Sequence, residues 1–182
     1  MMTWQEIPGW FTFEDVYTHA VETLRGGGSP VFTRSKFVEV GIGEGRSAAF
    51  LLGLLNHSDR DWVLLVDHEE ERVRRVCDRL AGMGIVNVSW AGSVNAAKHQ
   101  ADGSLDFVFI DADHAYESVL ADIDAWLPKV RSGGILAGHD YVNAPWSGVI
   151  RAVTERFDRI EVWRGSKWTD GTYLPSWLVR VP

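Results

Sequence analysis

Short apolar runs alternate with amphipathic stretches along most of the chain, and that alternation restricts the fold more than any other feature. Residues 36–40 (KFVEV), 62–66 (WVLLV), 85–90 (IVNVSW), 105–110 (LDFVFI) and 135–137 (ILA) are rich in β-branched, leucine or aromatic residues and too short to be helices. Between them, 46–55, 69–81 and 117–130 repeat apolar residues at helical spacing. Strands that are apolar on both faces and separated by helices form a parallel sheet covered on both sides. A further helix is predicted over 147–157, then strands over 160–163 and 176–181. Two strands in succession without a helix between them are not parallel neighbours, so the tail adds an antiparallel hairpin to the sheet edge. The expectation is an α/β fold with a doubly wound, seven-stranded, mostly parallel sheet.

Ahead of this pattern, residues 12–25 (TFEDVYTHAVETLR) place Phe13, Val16, Ala20, Val21 and Leu24 near helical spacing. Gly26-Gly27-Gly28-Ser29-Pro30 ends that helix. Residues 1–30 therefore read as a helical cap or lid on a core of 36–182, and 182 residues suit one domain. Trp4, Trp10, Phe11 and Phe13 suit a lid, a cap or a contact in a homodimer. The N-terminus has no basic stretch followed by an apolar run, and no run approaches the ~20 residues of a membrane span. A cytoplasmic protein is expected. The formal net charge of -7 argues against a nonspecific nucleic-acid binder. Cys77 is the only cysteine, which excludes an intrachain disulfide and a cysteine zinc cluster.

The first strand ends in Glu39, and Gly41, Gly43 and Gly45 follow before a helix that opens near Arg46-Ser47. Glycines there let the backbone turn tightly and approach a ligand, while the helix start offers free N–H groups. Asp67 closes the next strand about 20 residues on, where a carboxylate can accept from ribose hydroxyls. These features favour a nucleoside-bearing cofactor. An acid beside the loop repels pyrophosphate but can hold an ammonium group, which favours S-adenosylmethionine over a dinucleotide.

From about residue 36 to its end the chain resembles the class I S-adenosylmethionine-dependent methyltransferases, with their Rossmann-like sheet. The resemblance implies that Glu39, Gly41 and Gly43 take the methionine part of the cofactor, with Glu44 and Ser47 at the loop and helix start beside them. It also implies that Asp67 binds the ribose, that His68 lies near the adenosine, and that Gly92 and Ser93 line the adenine.

A second constellation lies in Asp111-Ala112-Asp113-His114 and Gly138-His139-Asp140-Tyr141, delivered by two strands at their carboxyl ends, where open α/β sheets bind ligands. Carboxylates with imidazole suit a divalent ion such as Mg²⁺ or Mn²⁺, with histidine shifting the preference toward Mn²⁺, Fe²⁺ or Zn²⁺. The segment DFVFIDADHAYESVLADIDAWLPKVRSGGILAGHDY resembles the family-24 methyltransferases and, more distantly, the metal-dependent catechol and macrolide-sugar O-methyltransferases. That likeness implies Asp111 and Asp140 as metal ligands and Asp113 as a base; His139 stands where those relatives commonly carry an acid, and is a candidate ligand or base. The alternative is that Asp111 only touches the cofactor, that Asp113 caps the next helix, and that the histidines are structural. The reaction expected is O-methylation of a small hydroxylated molecule. Metal-independent methylation of nitrogen or carboxylate, and cofactor binding without transfer, are the alternatives. The turn-rich 163–173 segment and Trp146 are candidate covers for the acceptor.

Overall fold

Two layers of helices enclose one sheet, and the parity of each strand decides which layer a side chain meets. The computed structural model describes residues 3–26, 35–55, 61–84, 86–167 and 171–182. A 3₁₀ turn, Trp4–Glu6, precedes α1 (Glu14–Gly26), β1 (Lys36–Val40), α2 (Arg46–Leu54), β2 (Trp62–Asp67), α3 (Glu70–Leu80) and β3 (Val86–Trp90). Then follow α4 (Ser93–Ala97), β4 (Leu105–Ile110), α5 (Tyr116–Trp126), β5 (Val130–Gly138), α6 (Ser147–Arg156), β6 (Glu161–Trp163) and β7 (Ser176–Arg180). The predicted helix breaker at 27–30, Ile85 and residues 168–170 lie outside the described residues.

The sheet order is β3-β2-β1-β4-β5-β7-β6. β1 to β5 pair in parallel, and β7 runs antiparallel to both β5 and β6. This is the doubly wound, seven-stranded, mostly parallel sheet with an antiparallel edge that the strand pattern predicts. Phe37, Leu65, Phe107 and Phe109 point to one face, where Phe13, Val16, Tyr17 and Ala20 join α2 and α3 residues in a buried cluster. Val38, Val40, Val66, Val108 and Ile110 point to the other and meet Ala96, Val119, Ile123, Trp126 and Val149. Phe13 stacks on Phe109 at 4.5 Å between ring centres. The N-terminal segment is thus a wall of the core: Ile7, Phe11, Phe13, Val16 and Tyr17 are all buried.

One boundary and one added helix depart most from the sequence expectation. The helix predicted over 117–130 stops at Trp126, because Leu127–Lys129 forms a 3₁₀ turn around Pro128 and the strand already begins at Val130. Proline lacks the N–H that a continuing helix needs. The helix α4 was not anticipated, since five residues are too few to show a period. Among the described residues no helix is long and apolar enough to cross a membrane.

Candidate active site

The strand order reverses between β1 and β4, and in sheets of this kind ligands bind outside the carboxyl ends at that point. The backbone pairing runs past the strand ends: Gly41 N–H donates to Val66 O at 2.9 Å, and Asp111 N–H to Val40 O at 2.8 Å. Gly41 has φ +83°, and a Cβ there would sit 1.9 Å from the Asp111 carbonyl oxygen. Only glycine lets the two loops touch. Gly43, at φ +47°, has no atom within 4 Å of where a Cβ would be, so its open side faces space. A cavity of about 1120 Å³ runs along these loops, lined by Gly41, Gly43, Glu44, Ser47, Asp67, His68, Gly92, Ser93, Asp111 and Asp113. Gly9, Trp10 and Phe13 line it as well, with Arg46, Arg72, Ser118 and Asp122.

Glu44, Asp67, Asp111, Asp113 and Asp122 place five carboxylates on this lining, against the guanidinium groups of Arg46 and Arg72. Such a lining favours a cationic ligand over a pyrophosphate. Asp67 is almost fully buried and accepts from Ile42 N–H at 3.3 Å, Glu69 N–H at 2.9 Å and Arg72 at 3.1 Å. Arg72 therefore stands where the ribose is expected. Glu44 pairs with Arg79 and Arg75 at the rim, and the Arg79 contact holds its carboxyl below the usual range. The His68 side chain is exposed, while its carbonyl accepts from Trp90 Nε1 at 3.0 Å. The Ser93 hydroxyl accepts from Trp126 Nε1 at 2.9 Å.

Glu39 does not line the cavity. It shares the strand face of Phe37 and lies under α2 with 1% of its surface exposed. Ser47, which does line the cavity, donates to Glu39 Oε1. Burial pushes the Glu39 carboxyl up to about 8, with Ser47 opposing and Asp111 adding to the rise. The hydroxyl of buried Tyr17 also approaches the Glu39 carboxyl, outside strict hydrogen-bond geometry. Any influence on a ligand passes through Ser47.

Behind the glycine loop, Asp111, His139 and Asp140 offer ligand atoms that all lie within 4.8 Å of one another. His139 Nδ1 is 3.3 Å from Asp140 Oδ2 and 3.9 Å from Asp111 Oδ1, and its Nε2 is 3.2 Å from the Thr12 hydroxyl. Asp140 takes φ +55°, a left-handed turn that aspartate tolerates better than most residues. That turn sets Asp140 Oδ2 also 2.7 Å from His114 Nε2, and Trp146 packs on the His114 ring at 4.9 Å. Burial alone would raise the Asp140 pKa, but the two histidines outweigh it and hold the carboxyl well below its usual range. Burial likewise works against a charged His139, and the Asp140 and Asp111 carboxylates reverse the balance and raise its pKa. Asp140 Oδ1 is buried without a partner, and two carboxylates with an imidazole are a donor set that fits a divalent ion.

The two candidate bases sit differently. Asp113 lines the cavity, but Oδ2 accepts from Ser118 at 2.5 Å and Oδ1 from Ala115 N–H at 3.3 Å. The Ser118 bond lowers its pKa, so it is a weaker base than a free carboxylate. His139 is buried and both ring nitrogens face protein groups. The 163–167 segment turns to the N-terminal wall rather than the cavity. Ser166 N–H donates to Thr12 O at 2.7 Å, and Arg164 stacks on Tyr173 at 3.7 Å. Arg72, Thr12, Tyr17 and Asp122 join the site or its back wall without belonging to any motif in the sequence. Asp122 had left a signal: it interrupts an otherwise apolar stripe with Val119, Ile123 and Trp126.

A family model described as a methyltransferase domain, family 24, matches residues 38–141, which contain the glycine loop and both acid loops. The chain belongs to this methyltransferase family. It is a methyltransferase of the S-adenosylmethionine-dependent class. No curated protein matches the sequence of this methyltransferase significantly. Among solved structures, it is similar to an rRNA methylase from Streptococcus thermophilus: TM-score 0.70, 16% identity, 95% of this chain and 98% of the other. A SAM-dependent O-methyltransferase from Thermotoga maritima gives a TM-score of 0.68 at 15% identity over 96% of this chain and 68% of its own. An N-methyltransferase from Bradyrhizobium japonicum WM9, in complex with S-adenosyl-L-homocysteine, gives 0.65 at 16% identity over 92% and 86%. At these identities the likeness establishes the methyltransferase's fold, and the three differ in what their names say they methylate.

Proposed function

We propose that this methyltransferase transfers the methyl group of S-adenosylmethionine to the hydroxyl of a small molecule, with assistance from a divalent ion. The observation that carries the reading is the convergence of Asp111, His139 and Asp140 within 4.8 Å, with Asp140 Oδ1 buried and unpartnered. Asp111 belongs to both sites: it lines the cavity and faces His139. In this reading the methionine end lies at Gly41, Gly43 and Ser47, the ribose at Asp67 after Arg72 swings aside, and the purine at Gly92 and Ser93. His68 and Glu44 flank the opening, and Glu39 steadies Ser47 from below.

Asp111, His139 and Asp140 would hold Mg²⁺ or Mn²⁺, which supplies a Lewis acid that makes an alcohol or phenol easier to deprotonate. The protein's own part is mostly positioning, because displacement at a sulfonium needs the acceptor lone pair in line with the methyl group. Of the two candidate bases, Asp113 is the one that reaches the cavity; His139 stands behind Asp111, where it serves as an ion ligand rather than as the base. The formal net charge of -7 disfavours a phosphate backbone, which supports a small acceptor over a nucleic acid. The chain works as one domain, with its N-terminal helix as a cap on the sheet.

The test is methyl transfer to a panel of small alcohols and phenols before and after exhaustive chelation, with Mn²⁺ and Mg²⁺ added back. Loss on chelation with recovery on Mn²⁺, and loss in Asp140→Asn, is expected. Turnover unchanged by chelation sinks the metal-assisted reading.

A further inference from the structure

The cavity contains a buried acid for which none of the roles above has a use. Asp122 sits on the inward stripe of α5 with 5% of its surface exposed, yet it lines the cavity next to Ser93. The Ser93 oxygen accepts from Trp126 Nε1 at 2.9 Å, which leaves the hydroxyl proton for Asp122. Trp126 is fully buried, so this chain of contacts fixes where the carboxylate points. A carboxylate has about four acceptor positions, and Ser93 occupies one. Among the described residues no lysine, arginine or histidine forms an ion pair with it. Burial raises its pKa, with Ser93 opposing. A buried acid with acceptors to spare costs stability unless a donor meets it.

We infer that Asp122 reads the purine of the cofactor, accepting a hydrogen bond from the exocyclic amine of adenine. This rests on the cofactor placement proposed above: methionine end at the glycine loop, ribose at Asp67. From those two points the cavity continues past Gly92 and Ser93, beyond the carboxyl end of β3, to the flank of α5. A purine reaching Ser93 presents its amine edge to Asp122. The 6-oxo purine of an inosine analogue instead sets a carbonyl lone pair against the carboxylate. Asp122 then makes the site specific for adenine and does not touch the transferred methyl group.

Calorimetry on the full chain tests this with S-adenosylhomocysteine and its 6-oxo analogue S-inosylhomocysteine. The native protein is expected to favour the adenine ligand by about tenfold or more, the worth of one good hydrogen bond. Asp122→Asn should bring the two ligands within about twofold, and Ser93→Ala should narrow the gap part of the way. Equal affinities in the native protein, or full discrimination in folded Asp122→Asn, overturn the assignment. Asp67→Asn serves as the reference for placement. If it weakens both ligands alike while Asp122→Asn still discriminates, only the purine role falls. If it changes neither affinity, the placement itself falls, and the assignment with it.

Discussion

With almost no exposed surface, the Glu39 carboxyl titrates near 8 because burial penalises its charge more than Ser47 rewards it. In the unfolded chain the same group ionises near 4.5. Its folded pKa is the higher one, so the stability it contributes is fully present below the unfolded value and is lost as pH rises through about 8. Thermal denaturation from about pH 5 to about pH 9 should show the native protein losing stability relative to Glu39→Gln. Parallel profiles would mean that Glu39 is already ionised in the fold. At Asp67 the expected effect is on binding: with the ribose placed there as proposed, Asp67→Asn should weaken S-adenosylhomocysteine about tenfold or more, measured by calorimetry, by removing an anionic acceptor.

At the scale of the elements, the contact between the loops after β1 and β4 depends on Gly41. Gly41→Ala would need φ +83° for a side chain whose Cβ falls 1.9 Å from the Asp111 carbonyl oxygen. The loops must separate, and a loss of about 2 kcal/mol or more is expected in urea denaturation, together with weaker cofactor binding. Much at this level was legible from residues. The strands 62–66 and 105–110 announced themselves because buried parallel strands are apolar on both faces. Pro128 marked where α5 had to end, although apolar spacing alone carried the prediction to residue 130. Strand parity also held the direction of Glu39, which shares a face with Phe37 and points under α2 instead of into the cavity. What could not be read were contacts between segments far apart in sequence. Thr12 against His139 and Asp122 beside Ser93 depend on how the layers pack.

For the whole molecule, the N-terminal segment carries weight that its position ahead of the sheet conceals. Deleting residues 1–25 would strip Phe13, Val16 and Tyr17 from Phe37, Phe107 and Phe109 and take Thr12 from His139. Buried aromatic side chains are worth several kcal/mol together. The truncated chain is therefore expected to lose cooperative thermal unfolding and to aggregate on size-exclusion chromatography. A lid would detach without those effects.

The position of β7 between β5 and β6 has a further consequence for how the molecule is made. A chain emerging from the ribosome has synthesised its glycine loop, both acid loops and the whole parallel sheet before residues 176–180 appear. Until then β5 has an open edge, and the Trp177 side chain that ends fully buried is missing from its layer. The Ser166 contact with Thr12 likewise joins segments more than 150 residues apart. Pairings of such long separation close slowly and leave unpaired edges for neighbours to capture. Synthesis is thus a stage at which this enzyme is exposed to misassembly, and β7 serves as the seal.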